Sequence, residues 1–449
     1  MVSAGLGSPT SPVVGGSVFP RDKHGTLGVT YVEVPREHGW HYFSDWPDCD
    51  HRAAHAHLLM GLSNRFVPET RPAQRFPWRS ANSFQLLTQG TEFFPDVLQR
   101  IDAAKHSVRI ELYLVESGRN AAKVIDTLCA AAARSVNVEV LLDSVGSKGL
   151  VDADRDRLTR SGVALRVFNK LLPKPGLDDF KRDHRKIIAI DEQTVYLGGA
   201  CVTDGFWDPV NNVSDWHDLM LRVEGPLVAD VVALFDFRWR RMENAGRHPE
   251  PSSESQTEPD SQAGWGRLGY TSGVPHRGLV IDLVQRIRFA RTRVWLVTPY
   301  FFPVKAVFDA MLEAAERGVD VQLFLPGCKT DHPSIREAGR GFYRELFEQG
   351  VSIYELDVQT LHAKATIVDE WLSVGSCNFD VWGANRNLEA NIEACDADCL
   401  EQCLALFDRY RNTCRRVSRE EWASRPASER VSQASLNYAG RAVRALLTH

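Results

Sequence analysis

The chain has 449 residues, of which 43% are hydrophobic and 25% are charged. This composition predicts a globular protein with enough apolar residues for two or more domain-sized units. The formal net charge of -5 argues against a protein that mainly coats nucleic acid, so we expect no nucleic-acid partner.

Residues 1–76 are rich in Gly, Pro, Ser and His and show little periodicity, which predicts an extension of unknown role. The opening MVSAGLGSPTSPVVGG has neither the basic nor the apolar region of a secretory leader. A cluster of His and Cys lies within this extension but lacks recognised zinc-ligand spacing, which favours a polar segment without metal. Its members are His38, His41, Cys49, His51, His55 and His57.

Hydrophobic periodicity predicts a first repeat over residues 77–245 and, after a Pro- and Ser-rich linker at 246–268, a second repeat over residues 269–412. Helices and strands alternate in both repeats, which is typical of an α/β sandwich with parallel strands and helical crossovers. The predicted elements are Phe94–Ala104, Ala121–Ala133, Leu279–Ala290 and Val307–Ala315 as helices, with Val108–Val115, Val136–Leu142, Ala164–Phe168, Val294–Thr298, Val319–Leu325 and Val351–Tyr354 as strands.

The C-terminal part predicts a helix at Asp398–Tyr410 and a tail over residues 413–449. Cys395, Cys399 and Cys403 recur every fourth residue, which favours a packed helix face over a metal site. Ser418-Arg-Glu-Glu421 resembles a capping box. A last amphipathic helix begins near 431, and both an interfacial membrane helix and a helix docked on the body remain open.

The location of the protein follows from two further features of the sequence. The nine cysteines lack the spacing of a disulfide framework, so we expect a reducing compartment, the cytoplasm. Uncharged apolar residues never run together for the roughly 18 positions that a transmembrane helix needs. We therefore expect a protein that does not span a membrane.

One stretch occurs twice, as DHRKIIAID at 183–191 and as LHAKATIVD at 361–369. In each copy a His is followed two residues later by a Lys and seven residues later by an Asp. The residues are His184, Lys186 and Asp191 in the first copy and His362, Lys364 and Asp369 in the second. In a strand, His and Lys at i and i+2 share one face, so two matching half-sites predict one composite site.

The chemistry of these side chains indicates phosphoryl transfer without a metal. A neutral imidazole can attack phosphorus, a protonated one can act as general acid, and two ammonium groups can hold phosphate oxygens. Each imidazole also needs a carboxylate that fixes its tautomer. Each half contains one candidate, Asp218 after His184 and Glu389 after His362.

A turn of small residues follows each copy and lets the backbone approach a ligand. LGGACVTD at 197–204 contains Gly199 and Cys201, and VGSCNFD at 374–380 contains Ser376 and Asn378. The two halves differ here, because Cys201 stands where the second half has Asn378. A thiol is a poorer hydrogen-bond donor than an amide, so we expect weaker oxygen binding in the first half.

The paired His-x-Lys-x-x-x-x-Asp motifs resemble those of the phospholipase D superfamily. NSFQLLTQGTE at 82–92, LDSVGS at 142–147, TPYFFP at 298–303, NFD at 378–380 and NLEAN at 387–391 resemble the bacterial cardiolipin synthases, closest to the subgroup without transmembrane helices. The resemblance covers residues 77–412. It implies His184 as nucleophile and His362 as acid and then base. It further implies that Lys186, Lys364 and Asn378 hold phosphate oxygens, that Asp218 and Glu389 orient the imidazoles, and that Asp191 and Asp369 complete the motifs. Seven residues of extended strand would place each Asp about 23 Å from its His, too far for direct chemistry, so we expect a structural role for both.

The function that the resemblance implies is the joining of two phosphatidylglycerol molecules into cardiolipin and glycerol through a phosphohistidine, with no cofactor. We expect a peripheral protein on the inner face of the cell membrane, with the aromatic groups of Phe206, Trp207 and Tyr300-Phe-Phe-Pro303 at the lipid entrance. Two alternatives remain. One is hydrolysis of phospholipid or nucleic acid by the same site, and the other is a lipid-binding scaffold whose site has decayed.

Overall fold

The computed structural model describes residues 76–170, 181–242, 264–271, 278–380 and 387–426. The chain separates into two compact units, residues 1–59 and 60–449, and all described residues belong to the second. The interpretations of the His-rich extension, of most of the linker and of the last helix lie outside the described residues. The domain boundaries proposed from the sequence stay predictions.

The first half forms a mixed sheet in the order β1-β8-β6-β5-β2-β3-β4. Its strands, with the short β7, are β1 Ser83–Leu87, β2 Ser107–Leu112, β3 Asn137–Asp143, β4 Ala164–Phe168, β5 Lys186–Ile190, β6 Thr194–Gly198, β7 Trp216–His217 and β8 Met220–Glu224. Its helices are α1 Gly90–Ala103, α2 Arg119–Ala133, α3 Asp152–Arg160 and α4 Leu227–Arg241.

The second half forms a sheet in the order β17-β12-β11-β10-β14-β15-β16-β9. Its strands, with the short β13, are β9 Trp265–Tyr270, β10 Arg293–Val297, β11 Asp320–Pro326, β12 Ser352–Leu356, β13 Thr360–Leu361, β14 Ala365–Val368, β15 Trp371–Gly375, β16 Ala390–Cys395 and β17 Arg415–Val417. Its helices are α5 Gly278–Phe289, α6 Lys305–Glu316, α7 Pro333–Arg340, α8 Tyr343–Glu348, α9 Ala397–Thr413 and α10 Arg419–Ser424.

The two sheets have one topology. Apart from β17, the order β9-β16-β15-β14-β10-β11-β12 repeats the order of the first sheet strand for strand. The predicted duplicated α/β fold is confirmed, but within these two sheets only β2, β3 and β4, and their counterparts β10, β11 and β12, pair in parallel. The other neighbours in these two sheets are antiparallel, and the turn between β5 and β6 is too short for the crossover that a parallel pair needs.

The core explains why the halves share one body. Along β5, Ile187 and Ala189 enter a central cluster, whereas Ile188 and Ile190 face α1 and α2, as the period of a strand requires. The central cluster also contains Ile367 and other residues of the second sheet, so the inner faces of both sheets bury each other. Helices α5 and α6 cover the outer face of the second sheet.

The Asp that ends each motif, Asp191 or Asp369, holds the start of a neighbouring strand in place. Asp191 accepts hydrogen bonds from the N–H groups of Lys105 (2.9 Å), His106 (2.8 Å) and Ser107 (2.9 Å), just before and at the start of β2. Asp369 does the same before β10. Both residues have positive φ, 53° and 52°, in turns that lead to β6 and β15. Their carboxylates bind backbone N–H groups rather than the imidazoles, which agrees with the structural role expected from the sequence.

We expect Asp369→Asn to lower the free energy of unfolding by about 1–2 kcal/mol, since it weakens charge-assisted hydrogen bonds while Asn still tolerates positive φ. Burial raises the pKa of Asp369, but the Thr292 hydroxyl and nearby N–H groups lower it below its usual value. The contribution is therefore present above the unfolded pKa of about 3.9 and is lost as the pH falls through the folded value.

Denaturant unfolding of Asp369→Asn at pH 7 and at acid pH measures this effect. The control Asp309→Asn removes a surface i,i+4 pair with Lys305, for which we expect less than about 0.5 kcal/mol. Normal stability combined with lost turnover in Asp369→Asn would instead give Asp369 a direct catalytic role.

Candidate active site

Two short backbone pairings place the motif histidines. Asp183 forms a parallel bridge with Leu388, and the N–H of His184 donates to the Leu388 carbonyl at 2.9 Å. In the other half, Leu361 of β13 pairs in parallel with His217 of β7. Two parallel segments advance in the same direction along the pairing. His184 therefore lies beside Glu389, and His362 lies beside Asp218.

That register gives each histidine the carboxylate of the opposite half. Nδ1 of His184 lies 3.0 Å from both oxygens of Glu389, and Nδ1 of His362 lies 2.5 Å from Oδ2 of Asp218. Each half supplies one carboxylate, but that carboxylate contacts the histidine of the other half. The crossed pairs confirm one composite site, since neither histidine is complete without the other half.

The crossed contacts define the imidazole tautomers. A carboxylate only accepts hydrogen bonds, so Nδ1 of each ring carries the proton and Nε2 is left for the substrate. Both rings are nearly buried, with 8% exposure for His184 and 6% for His362. In either ring, Nε2 is therefore the nitrogen that can attack phosphorus or transfer a proton.

The two lysines belong to the same buried site. Lys186 is fully buried, and its Nζ donates to the His184 carbonyl at 2.6 Å and lies 5.4 Å from the centre of the Tyr113 ring. Nζ of Lys364 lies 2.8 Å from Nδ1 and 3.2 Å from Nε2 of His362, and it also donates to the His362 carbonyl. Two buried ammonium groups thus accompany the two motif histidines, and groups of this kind can hold phosphate oxygens.

Electrostatics couple the two halves. Burial lowers the pKa of His184, contact with Glu389 opposes this effect, and both lysines add to it. Burial lowers the pKa of His362 well below its usual value, and Lys364, Lys186 and His184 lower it further. Both imidazoles are therefore uncharged near pH 7 without substrate. A bound phosphodiester brings negative charge between the lysines and so favours protonation of an imidazole.

The carboxylate of the second pair is itself perturbed. Burial raises the pKa of Asp218 to about 6, although Lys364 lowers it. Burial lowers the pKa of Lys364 to about 8, although Asp218 raises it. The pKa values of Asp218 and Lys364, which both lie beside His362, are therefore shifted toward neutral pH.

Ser376 and Gly199 support the two carboxylates differently. The Ser376 hydroxyl donates to Glu389 at 2.5 Å and accepts from the N–H of Ala390 at 3.0 Å. A Cβ added at Gly199 would lie 2.2 Å from Oδ1 of Asp218, so only glycine leaves room for this carboxylate. Both residues act through their neighbouring carboxylates, and contact with substrate stays a prediction.

Asn378 and Cys201 occupy equivalent places in the two repeats and differ as expected. The Asn378 side chain is buried, and its Oδ1 has no hydrogen-bond partner among the described residues. The Cys201 thiol is 3.9 Å from the Gly199 carbonyl, and burial raises its pKa. The second half therefore offers a polar amide where the first half offers an uncharged thiol.

Aromatic residues around the histidines carried no distinctive sequence signal. The Tyr113 ring meets His184 edge-on at 5.0 Å, and Trp216 lies 5.3 Å from His362. Tyr113 lies in the predicted strand Val108–Val115. Its position near the end of that strand is the one feature of the sequence that could have marked it as a site residue. The predicted entrance role of Phe206 and Trp207 was wrong, because their exposures are 1% and 6% and both rings belong to the core.

The remaining sequence expectations concern metals, caps and membranes. Cys399 and Cys403 are buried on α9, whereas Cys395 ends β16, and no group of three potential metal ligands occurs in the described parts of the chain. The Ser418 hydroxyl caps α10 by accepting from the N–H of Glu421 at 3.0 Å. Among the described residues, no helix is long and apolar enough to cross a membrane.

Duplicated α/β halves that share two His–carboxylate pairs and two lysines define a phospholipase D-type enzyme. The family described as "Cardiolipin synthase, PLD-like domain" matches residues 97–239 and 283–411, more than half of the chain. The chain belongs to this family of phospholipase D-like proteins.

Individual relatives agree with this assignment. The chain is 32% identical to cardiolipin synthase B of Salmonella typhimurium over 340 residues, which are 70% of this chain and 77% of the relative. It is 28% identical to cardiolipin synthase A of Yersinia pseudotuberculosis over 408 residues, 87% and 82% of the two chains. The crystal structure of phosphatidylserine synthase from Haemophilus influenzae superposes with a TM-score of 0.66 at 13% identity, covering 83% of this chain and 96% of that one. The last likeness concerns the fold alone.

Proposed function

We propose that this protein is a cardiolipin synthase-like phosphatidyltransferase that converts two molecules of phosphatidylglycerol into cardiolipin and glycerol. The observation that carries the proposal is the crossed pairing of His184 with Glu389 and of His362 with Asp218 around two buried lysines. The relatives named cardiolipin synthase supply the substrate class. Phospholipid substrates further imply action at a membrane surface, which we assign to the inner face.

In the first step, Nε2 of His184 attacks the phosphorus of phosphatidylglycerol. The bond from phosphorus to the glycerol oxygen breaks, and His362 gives its proton to that oxygen. Lys186, Lys364 and Asn378 hold the phosphoryl oxygens while charge develops on them. Lys364 and Lys186 lower the pKa of His362, and the negative charge of the phosphodiester opposes this effect. Substrate binding therefore favours the protonated form of His362 that acts as the acid.

In the second step, His362 takes the proton of a head-group hydroxyl on a second phosphatidylglycerol. The resulting oxygen attacks the phosphatidyl-histidine, the bond from phosphorus to nitrogen breaks, and cardiolipin leaves with His184 restored. Protons balance over the cycle, since His362 ends in the state in which it began. The crossed carboxylates hold both rings through the two steps.

We expect pure protein incubated with phosphatidylglycerol vesicles to give cardiolipin and free glycerol in nearly equal amounts, with little phosphatidic acid. Water at about 55 M competes for the intermediate, so transfer requires a site that orients a lipid hydroxyl better than water. Separation of lipid products and enzymatic measurement of glycerol provide the test. Added glycerol should drive the reaction backward, because one phosphodiester replaces another.

His184→Ala provides the inactive control for contaminating lipases. Phosphatidic acid as the main product would establish a hydrolase in place of the synthase. Cleavage of DNA without any action on lipid would instead move the substrate class to nucleic acid.

A further inference from the structure

Two loops lead directly into the composite site. The first, residues 208–215, ends at β7, which is followed by Asp218, and the second, residues 357–359, ends at β13, which is followed by His362. The loops are joined, because the Gln359 side chain donates to the Ser214 carbonyl at 2.7 Å and the N–H of Thr360 donates to the backbone carbonyl of Asp215 at 3.0 Å. Together they form one surface at the end of the site strands.

These loops expose apolar side chains. Val210 is 73% exposed, Val213 is 49% exposed and Val358 is 59% exposed. They are three of the seven large hydrophobic residues that stand exposed in the described part of the chain. Single exposed valines are ordinary, but three on two linked loops beside an active site form a local apolar surface.

The first loop holds its valines rigidly. The N–H of Asp208 donates to the Val213 carbonyl at 2.9 Å, and the Asp208 carboxylate accepts from the N–H of Val210 at 3.0 Å. Arg119 of α2 binds the same carboxylate at 3.0 Å. A loop fixed in this way presents Val210 at its tip without losing much conformational entropy on binding.

A positive charge lies beside the apolar side chains. Nζ of Lys329 donates to the Val358 carbonyl at 2.9 Å. An ammonium group adjacent to exposed valines fits a surface whose interior is apolar and whose outer layer is anionic. A protein partner needs no such combination, whereas an anionic phospholipid bilayer provides both layers.

We propose that Val210, Val213 and Val358, with Lys329 beside them, form the surface by which this protein docks on an anionic phospholipid bilayer. This inference deepens the proposed function, on which its choice of lipid rests. The valines enter the interface between head groups and acyl chains, and Lys329 binds lipid phosphate. The docked loops bring the mouth of the site to the bilayer, so a lipid head group reaches His362 without leaving the membrane.

The test measures sedimentation of the full chain with vesicles of phosphatidylcholine, with or without phosphatidylglycerol. We expect the triple variant Val210→Ser, Val213→Ser, Val358→Ser to bind mixed vesicles about tenfold or more weakly, since it removes apolar area from the lipid interface. The matched control is Val151→Ser, Ile281→Ser, Phe289→Ser, which changes three exposed apolar residues elsewhere. The control should bind as the unaltered protein does.

The charge is tested separately. Lys329→Gln should weaken binding several-fold to vesicles that contain phosphatidylglycerol, because one basic side chain near an anionic surface contributes about 1 kcal/mol. Binding to pure phosphatidylcholine, which has no net charge, should be unchanged. Lys305→Gln, in an exposed pair on α6, is its control. Turnover of a short-chain phosphatidylglycerol below its micelle concentration should be equal in the triple variant and the unaltered protein, which excludes damage to the site.

Undiminished vesicle binding by the triple variant, or an equal loss in its control, would overturn the docking surface. Sedimentation needs no catalysis, so it is independent of the proposed reaction. Binding that depends on the valines in a protein that makes no cardiolipin would reject the proposed function alone.

Discussion

Replacement of His184 by Ala is expected to reduce cardiolipin formation by about 10⁴-fold or more, because the nucleophile and the covalent route that depends on it are lost. The neutral ring of His184, with Nδ1 held by Glu389, is the nucleophile in the proposed reaction. Brief incubation of the unaltered protein with phosphorus-labelled phosphatidylglycerol should therefore leave label on His184. A phosphohistidine is acid-labile and base-stable, which separates it from labelled serine or aspartate.

His106→Ala is the matched control, since this exposed imidazole lies outside the site. It should keep both turnover and label. His362→Ala should lose turnover as completely as His184→Ala, while any intermediate that still forms accumulates. Label retained by His184→Ala and lost in His362→Ala would exchange the two roles, and absence of label under every quench would reject the covalent route.

The second large effect concerns the crossed carboxylates. We expect Asp218→Asn and Glu389→Gln each to reduce turnover of phosphatidylglycerol by about 10²- to 10⁴-fold, because the imidazole that each binds loses its tautomer and orientation. The crossed geometry further predicts which chemical step each variant impairs. Glu389→Gln weakens the nucleophile His184, and Asp218→Asn weakens the acid His362.

A phosphatidyl ester of p-nitrophenol distinguishes these steps, since its leaving group departs without a proton. In a single turnover, Asp218→Asn should release p-nitrophenol at nearly the unaltered rate, whereas Glu389→Gln should remain slow. Asp309→Asn, on the surface of α6, is the control for loss of a carboxylate. The reverse pattern would mean that each carboxylate serves the histidine of its own half during catalysis.

The membrane interface illustrates how far residue type alone can mislead. The aromatic rings of Phe206 and Trp207 have the composition of a lipid entrance, yet Phe206 packs 5.6 Å from His362 and Trp207 stacks on Phe94 at 5.4 Å. Side chains of this size stabilise a core as well as they bind lipid. Which of the two occurs depends on the packing of α1 against the loop, and the sequence does not encode that contact locally.

The sequence by itself determined the duplication, the α/β alternation and the candidates for the reactive side chains. These properties are local, since strand and helix periods and the spacing of His, Lys and Asp are read within a few residues. Even the structural role of Asp191 followed from its distance along the chain from His184. The antiparallel half of each sheet was not recognised. The direction in which two strands pair depends on contacts between segments that are far apart in the sequence.

Only the tertiary structure decided which carboxylate serves which histidine. Glu389 is closer to His362 along the chain, but the bridge between Asp183 and Leu388 aligns it with His184. The equivalent pairing of His217 with Leu361 aligns Asp218 with His362. Both bridges form because the two sheets bury their inner faces against each other, which brings the strand ends of one half to those of the other. The free energy of that burial depends on the whole core, so the crossed site exists only in the folded chain.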